Sequence, residues 1–254
     1  MLCQFTVKNY KSIRDEATFD MQAVAISEHE DRMIKDQDDE MYLPVSAIYG
    51  PNGGGKSTLA KVIMGVNKVT AGNIILDGED ITEASITDRA KKGISFAFQQ
   101  PVHFKGIKVI DLLRLAAGRE ITTDEACEYL SKVGLCAREY IEREVNGSLS
   151  GGELKRIEIA TVLARGTKIS IFDEPEAGID LWSFQNLIKV FENIRENING
   201  TVLIISHQER ILNIADEIVV IQDGKVKTRG PKDEILPTLL GTSSAVPVAC
   251  GKLS

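Results

Sequence analysis

The chain has 254 residues, of which 43% are hydrophobic and 26% charged, and a formal net charge of −7. This is the balance of a globular protein with a sizeable core, and its negative charge argues against broad, non-specific binding to nucleic acid. No apolar run approaches the ~20 residues that span a bilayer, and no export signal accompanies the four cysteines, so we expect a cytoplasmic protein with reduced thiols and no membrane insertion of its own.

The first 49 residues contain a strand-like stretch, Phe5 to Ile13, and an acidic segment from Ser27 to Met41. The acidic segment carries seven Asp or Glu residues against two Lys or Arg. A charge run of this kind is typical of a solvated loop, so the pattern predicts a loop there.

The next feature is a glycine-rich stretch between an apolar run, Val45 to Tyr49, and a helix-like segment, Leu59 to Met64. Strand, glycine loop and helix in this order predict a phosphate-binding P-loop, because glycines let several amides point inward at the positive end of the helix. The loop residues are Gly50, Pro51, Asn52, Gly53, Gly54, Gly55, Lys56, Ser57 and Thr58.

Two side chains of this loop carry specific chemistry. Lys56 would reach the β- and γ-phosphates, and the Ser57 hydroxyl would be a ligand of Mg²⁺. The chain is therefore expected to bind a nucleoside triphosphate with magnesium.

Two further strands are predicted after the loop. Asn73 to Gly78 reads as a strand that ends in an Asp-Gly turn. Ile94 to Phe98 alternates as a strand and runs into Gln99 and Gln100. A glutamine here could be a ligand of Mg²⁺ or hold the attacking water. We choose Gln99 over Gln100, because the strand pattern ends at Phe98.

A capping box, Thr122 to Glu125, predicts a helix that Gly134 ends. Further on, Ser150, Gly151 and Gly152 precede another periodic apolar segment, so they occupy a second helix N-terminus suited to a γ-phosphate. Because the P-loop already holds one nucleotide, we expect the second site to serve the nucleotide of another copy, in an ATP-dependent homodimer.

The apolar strand Ile169 to Phe172 delivers two acids at its end, Asp173 and Glu174. Asp173 would hold Mg²⁺, and Glu174 would orient or deprotonate the attacking water. After a short turn with Asp180, a second apolar strand, Thr201 to Ile205, ends close to His207, which could contact the γ-phosphate and order Glu174. Towards the end, Asp223-Gly224 predicts a hairpin, and a loosely held tail is expected from Gly241.

The order of these motifs resembles the ATP-binding-cassette (ABC) ATPases from Pro51 to about Leu240. The resemblance implies an α/β P-loop NTPase with a RecA-like sheet, an antiparallel β subdomain and a helical subdomain near residues 102–150. It implies one domain over residues 1–240, with 241–254 as a tail. ATP hydrolysis would use Lys56, Gln99, Glu174 and His207, with Ser57, Gln99 and Asp173 on Mg²⁺ and Ser150, Gly151, Gly152 and Asp180 facing the nucleotide.

Within that family, the stretches Phe96 to Pro101, Glu153 to Glu158 and His207 to Leu212 resemble SufC ATPases of the Suf iron–sulfur cluster assembly system. This implies a SufB/SufD-like scaffold as partner, whereas Asp173 to Asp180 departs from the commonest SufC form. A subunit of an ABC membrane transporter would carry the same catalytic residues, so that alternative stays open.

The first 49 residues instead resemble the opening strand of RecF- and OLD-like ATPases, which suggests a DNA-linked ATPase as a third alternative. The chain could be a chimera joined near the P-loop. ABC subunits stack an aromatic side chain on adenine; Tyr10 is our candidate for it, ahead of Phe19.

Overall fold

The computed structural model describes residues 3–7, 17–20, 34–35, 41–42, 44–197 and 200–243. The strands are β1 Cys3–Val7, β2 Ala17–Asp20, β3 Ile34–Lys35, β4 Met41–Tyr42, β5 Val45–Tyr49, β6 Ile74–Leu76, β7 Glu79–Asp80, β8 Ile94–Ala97, β9 Ile169–Asp173, β10 Thr201–Ile205, β11 Glu217–Gln222 and β12 Lys225–Pro231. The helices are α1 Lys56–Met64, α2 Ile86–Lys91, α3 Val109–Ala117, α4 Thr123–Lys132, α5 Ala137–Tyr140, α6 Gly151–Arg165, α7 Leu181–Asn197, α8 Glu209–Leu212 and α9 Lys232–Ser243.

A six-stranded sheet in the order β12-β11-β5-β10-β9-β8 forms the centre of the fold. Its inner ladders are parallel, and only β12 runs antiparallel to its neighbour. Strands β9 and β10 are buried along their whole length because helices cover both faces of a parallel sheet. Their carboxyl ends, with those of β5 and β8, therefore meet at one edge.

Two hydrophobic cores lie on opposite faces of this sheet, as the alternation of side chains along β10 shows. Val202 and Ile204 pack into the core that includes α3, α6 and α7. Leu203 and Ile205 pack into the core that includes α1 and β6. The sheet thus separates the P-loop helix, α1, from helices α3, α6 and α7.

A second, four-stranded antiparallel sheet has the order β2-β1-β6-β7. It joins the first residues of the chain to the strand that follows α1. The antiparallel β unit that the ABC resemblance implies is therefore built partly from β1 and β2, which precede the stretch that carries this resemblance, Pro51 to about Leu240.

Several local predictions are confirmed. The Asp77-Gly78 and Asp223-Gly224 turns have positive φ at both residues, as tight hairpin turns require. The capping box at the start of α4 is present, and Gly134, at φ 69°, follows its C-terminus.

Two predictions are wrong in detail. The acidic segment is not all loop, because β3 pairs with β4 antiparallel within and just beyond it. The first three residues of the expected tail, 241–243, belong to α9, and the rest of the expected tail lies outside the described residues. Among the helices of the described residues, none has the length and apolarity needed to cross a membrane.

Candidate functional site

The P-loop turns tightly between β5 and α1. Gly53 and Gly55 have φ of 80° and 102°, in the left-handed region that favours glycine. A Cβ on Gly50 would lie 2.0 Å from the Ile221 carbonyl oxygen, so the strand end has no room for a side chain. Helix α1 starts without a side-chain cap, which leaves its first amides directed at the loop and suits them to an anion.

Lys56 is the first residue of α1 and is only 4% exposed. Its Nζ donates hydrogen bonds to the carbonyl oxygens of Gly50 and Pro51. Burial lowers the pKa of Lys56, and the neighbouring carboxylates of Glu174 and Asp173 oppose that shift. The ammonium therefore lies within the loop and close to two acids from the end of β9.

Ser57 and Asp173 lie 116 positions apart and meet directly. The Ser57 hydroxyl donates to Asp173 Oδ1 at 2.8 Å. Asp173 is 1% exposed, and its burial raises its pKa, although the hydrogen bond from Ser57 works the other way. A hydroxyl and a buried carboxylate converging beside a phosphate cradle fit Mg²⁺, which takes hard oxygen ligands.

Glu174 follows β9 and lies close to residues that follow two other strands, β8 and β10. Gln99, after β8, donates from Nε2 to Glu174 Oε2 at 2.6 Å, and His207, after β10, has Nδ1 3.9 Å from Glu174 Oε1. The Glu174 backbone has φ 45° and donates its N–H to the Ile205 carbonyl at 2.9 Å. A non-glycine residue in this region is strained by about 1 kcal/mol or more, and such strain is typical of functional sites.

One contact in this region was missed from the sequence. Ser206 donates from Oγ to Glu176 Oε1 at 2.5 Å and accepts the Gln208 N–H at 3.0 Å. Burial raises the pKa of Glu176. The signal available in the sequence was Glu176 itself, a further acidic residue in the stretch Asp173 to Asp180. Its contact with Ser206 links this stretch to the turn that holds His207.

The second helix N-terminus is built differently. The Ser150 hydroxyl accepts the Glu153 N–H at 3.3 Å, and the Glu153 carboxylate accepts the Ser150 N–H at 2.7 Å, so α6 begins with a capping box. A Cβ on Gly152 would lie 2.6 Å from Ser183 Oγ, which shows how closely α6 approaches the start of α7. Asp180 caps α7 by accepting the amides of Trp182 and Ser183 at 3.0 Å.

The sequence-chosen residues therefore fall into two groups in the described structure. Lys56, Ser57, Gln99, Asp173, Glu174 and His207 lie together at the carboxyl edge of the central sheet. No hydrogen bond or ion pair of the described residues joins Ser150 to this group. Tyr10 lies outside the described residues, and of Phe19 only the backbone, in β2, is described. The stacking of an aromatic side chain on adenine stays a prediction.

An apolar groove of about 330 Å³ lies next to Gln99, between the end of β8 and helices α3 and α6. Phe98, Phe104 and Leu115 line it, and Leu115 is 69% exposed. Glu158 brings a carboxylate to the same groove. An exposed apolar hollow of this kind is typical of a protein-binding surface.

A glycine cradle at a helix N-terminus, a lysine inside it and a Ser–Asp pair at the sheet edge define a P-loop nucleoside triphosphatase. A family model described as "ABC transporter" matches residues 43–177. The uncharacterised ABC transporter ATP-binding protein MJ0035 of Methanocaldococcus jannaschii is 40% identical over 199 residues, which are 75% of this chain and 79% of that protein. The chain belongs to the ABC ATPase family and is an ATP-hydrolysing enzyme.

Other similarities agree. The probable ATP-dependent transporter slr0075 of Synechocystis is 36% identical over 205 residues, 74% of this chain and 79% of that protein. The ADP conformation of MJ1267, an ATP-binding cassette of an ABC transporter, has a TM-score of 0.72 and 26% identity over 99% of this chain and 100% of its own. A dimeric, post-hydrolysis structure of the cassette MJ0796 with ADP and Pi has a TM-score of 0.67 and 21% identity over 91% of this chain and 98% of its own. The match to MJ1267 includes the region of β1 and β2.

Proposed function

We propose that this ABC ATPase closes into a homodimer around ATP and uses the opening after hydrolysis to move a partner protein bound at the groove beside Gln99. The observation that carries the proposal is the convergence of Ser57, Asp173, Gln99 and Glu174 at one sheet edge, while Ser150 stands apart from them. One copy thus brings together the P-loop and the residues of the sheet edge, while Ser150 would come from the second copy and cover the nucleotide.

Each side chain of the edge has a distinct role in this proposal. Lys56 holds the β- and γ-phosphates, while Ser57, Asp173 and Gln99 would hold Mg²⁺. Mg²⁺ at this site would supply positive charge that offsets the negative charge of the triphosphate. Glu174 accepts a proton from the attacking water, and His207, beside its Oε1, orients that carboxylate and contacts the γ-phosphate.

Two features of this chain and one related structure support the dimer. Ser150 and Gly151 are exposed at the start of α6, where the hydroxyl and amides of one copy can reach the nucleotide of the other. Immediately after Asp180, Leu181 and Trp182 are exposed apolar side chains, and Trp182 is 80% accessible. The related cassette MJ0796 has been observed as a dimer with ADP and Pi.

The partner is proposed to be a SufB/SufD-like scaffold. The support is the sequence from Phe96 to Pro101 and along α6, which borders the groove, together with its resemblance to SufC. A second candidate is a membrane component of an ABC transporter, and the relatives named as transporter ATP-binding proteins favour it. Both partners would bind the same apolar surface.

The Glu174→Gln variant tests the motor. It keeps the size of the side chain but removes the base, so hydrolysis should fall at least about 100-fold. With Mg-ATP it should sediment as a dimer, and the fluorescence of Trp182, the single tryptophan, should change. Glu192→Gln, an exposed change on α7, is the control. A Glu174→Gln protein that hydrolyses at the normal rate, or remains monomeric with Mg-ATP, contradicts the proposal.

The partner is tested by affinity purification from the native cell and mass spectrometry, with Leu115→Glu as the variant. A charge in the groove should release the partner, whereas Ile86→Glu, an equally charged change at an exposed position outside the groove, should not. A co-purifying soluble scaffold supports the Suf assignment, and a multi-span membrane protein supports transport. A partner retained by Leu115→Glu rules out the groove as its binding surface.

A further inference from the structure

A buried ion pair on α6 holds both backbone polar groups of Phe98. Lys155 is 1% exposed; its Nζ donates to the Phe98 carbonyl oxygen and, at 2.8 Å, to Glu158 Oε2. Glu158 Oε1 in turn accepts the Phe98 N–H at 3.0 Å. One lysine and one glutamate, a turn apart on the helix, therefore close a ring of hydrogen bonds around Phe98, the residue that follows β8.

Packing alone does not explain why two charged residues are buried at this position. The last residue of β8 that pairs with β9 is Ala97, so Phe98 is where the chain leaves the sheet ladder. Burial of an ammonium and a carboxylate is costly, and apolar residues of similar size often stabilise such sites equally well. Burial raises the pKa of Glu158 even beside Lys155. The gain from keeping the charges here is the fixed backbone of Phe98.

The next residue along the chain is Gln99, whose amide donates to Glu174 Oε2 at 2.6 Å. The carbonyl that Lys155 holds belongs to the peptide bond between Phe98 and Gln99. That peptide plane contains the N and Cα atoms of Gln99, so holding it fixes the point from which the Gln99 side chain extends. The ion pair is thus one residue away from a side chain that contacts the water-activating glutamate.

We propose that Lys155 and Glu158 are positioning residues that hold Gln99 against Glu174. Ser150 is the N-cap of the same helix, so this pair connects the helix that Ser150 caps to the backbone beside Gln99. This inference rests on the roles proposed above for Gln99 and Glu174.

The first test is Lys155→Met, compared with Arg195→Met. Arg195 forms another buried ion pair, with Asp216, whose carboxylate also accepts the Val45 N–H at the amino end of β5, the opposite end of that strand from the P-loop. Its loss serves as a control for general destabilisation. Lys155→Met should lower kcat roughly 10- to 100-fold, as misplaced catalytic groups do, and leave ADP affinity within about threefold. Arg195→Met should leave both within about twofold. A kcat for Lys155→Met equal to that of the control overturns the inference.

The second test combines variants. If the pair acts through Gln99, Lys155→Met should add little to the kcat loss of Gln99→Ala, whereas independent effects multiply. Multiplied losses overturn the inference. Glu158→Ala, which removes the acceptor for the Phe98 N–H, provides the same cycle if Lys155→Met does not fold. A Gln99→Ala protein with normal kcat would instead refute the proposed role of Gln99 itself.

Discussion

Helices α1 and α6 both begin at glycine-rich motifs, yet their N-termini are in opposite states. Helix α1 has no side-chain cap, and Lys56 lies buried at its first position. Helix α6 has a complete capping box between Ser150 and Glu153. The first amides of α1 therefore remain directed at a phosphate, whereas at α6 the amides of Ser150 and Glu153 are already hydrogen-bonded to each other's side chains.

The difference teaches that two similar sequence motifs perform separable tasks. An uncapped N-terminus is stabilised by an anion that binds to it, which fits the role proposed above for α1 as the primary phosphate site. A capped N-terminus is stable without a ligand, which fits the proposal that α6 meets a nucleotide only when a second copy binds. The following variants test this contrast.

The largest effect is expected for Lys56→Met. The loss of a charged donor to the phosphates should weaken ATP binding about 100- to 1,000-fold, or roughly 3–4 kcal/mol. The unfolding midpoint should change little, because the buried ammonium is itself costly without its anion. Calorimetric titration with ATP and urea unfolding measure the two quantities. Nearly normal ATP affinity would mean that α1 is not the primary site.

The next effect concerns the opposite end of α1. Buried Arg89 donates to the carbonyl oxygens of Val62 and Ile63 at 2.7 Å and of Thr82 at 2.6 Å. Arg89→Met leaves these acceptors unpaired and should destabilise the protein by about 2–3 kcal/mol in urea unfolding.

Arg165→Met is the comparison for Arg89→Met. Arg165 is the exposed last residue of α6, and the next residue, Gly166, ends that helix in the left-handed conformation. The cost of Arg165→Met should stay below about 0.5 kcal/mol. Equal costs would show that the two helix ends do not differ in the way the structure indicates.

Ser150→Ala separates the cap of α6 from its proposed contact with nucleotide. Loss of the cap should cost about 1 kcal/mol of stability. The matched change Thr122→Ala removes the same kind of cap, with Thr122 Oγ1 3.1 Å from the Glu125 amide, and should cost the same. Only Ser150→Ala should also lower ATP hydrolysis, by about 10- to 100-fold. Equal hydrolysis by the two variants would leave Ser150 with a structural role alone.

The smallest effect is a difference in pH dependence. Burial raises the pKa of Glu176, so stability falls as the pH rises from the ordinary carboxyl pKa through the raised value. Glu176→Gln cannot ionise, and its stability relative to the natural protein should increase with pH over that window. Urea unfolding at a series of pH values measures this. A relative stability that decreases with pH would contradict the prediction.

Glu153 should behave in the opposite way. Burial favours its neutral form, but hydrogen bonds from Tyr140 and Ser150 outweigh burial and lower its pKa. Its contribution is therefore present above the ordinary carboxyl pKa and is lost as the pH falls through the lowered value. Glu153→Gln should be less stable than the natural protein at neutral pH, and the difference should shrink in acid. Parallel curves for the two variants would contradict the contrast between the sites.

Features made of neighbouring residues were the most predictable part of the molecule. The P-loop, the capping box at Thr122 and the turn at Asp223 each depend on contacts within a few positions, so their residue types are informative by themselves. The acidic segment misled because its charge pattern does not show that Ile34 and Lys35 pair with Met41 and Tyr42. Pairing partners lie outside the window that a charge run describes.

The amino-acid sequence alone determined that this is a P-loop ATPase with strand-end acids, because glycine, lysine and carboxylate chemistry is local. Only the tertiary structure decided that Ser57 meets Asp173 and that Gln99 meets Glu174, across 116 and 75 positions. Only the tertiary structure showed that the charged side chain of Lys155 is buried. The helical pattern of this segment predicts apolar residues, not a lysine, in the interior. Parallel strands bring distant side chains to one edge, and which strands are neighbours depends on how the helices pack against the sheet.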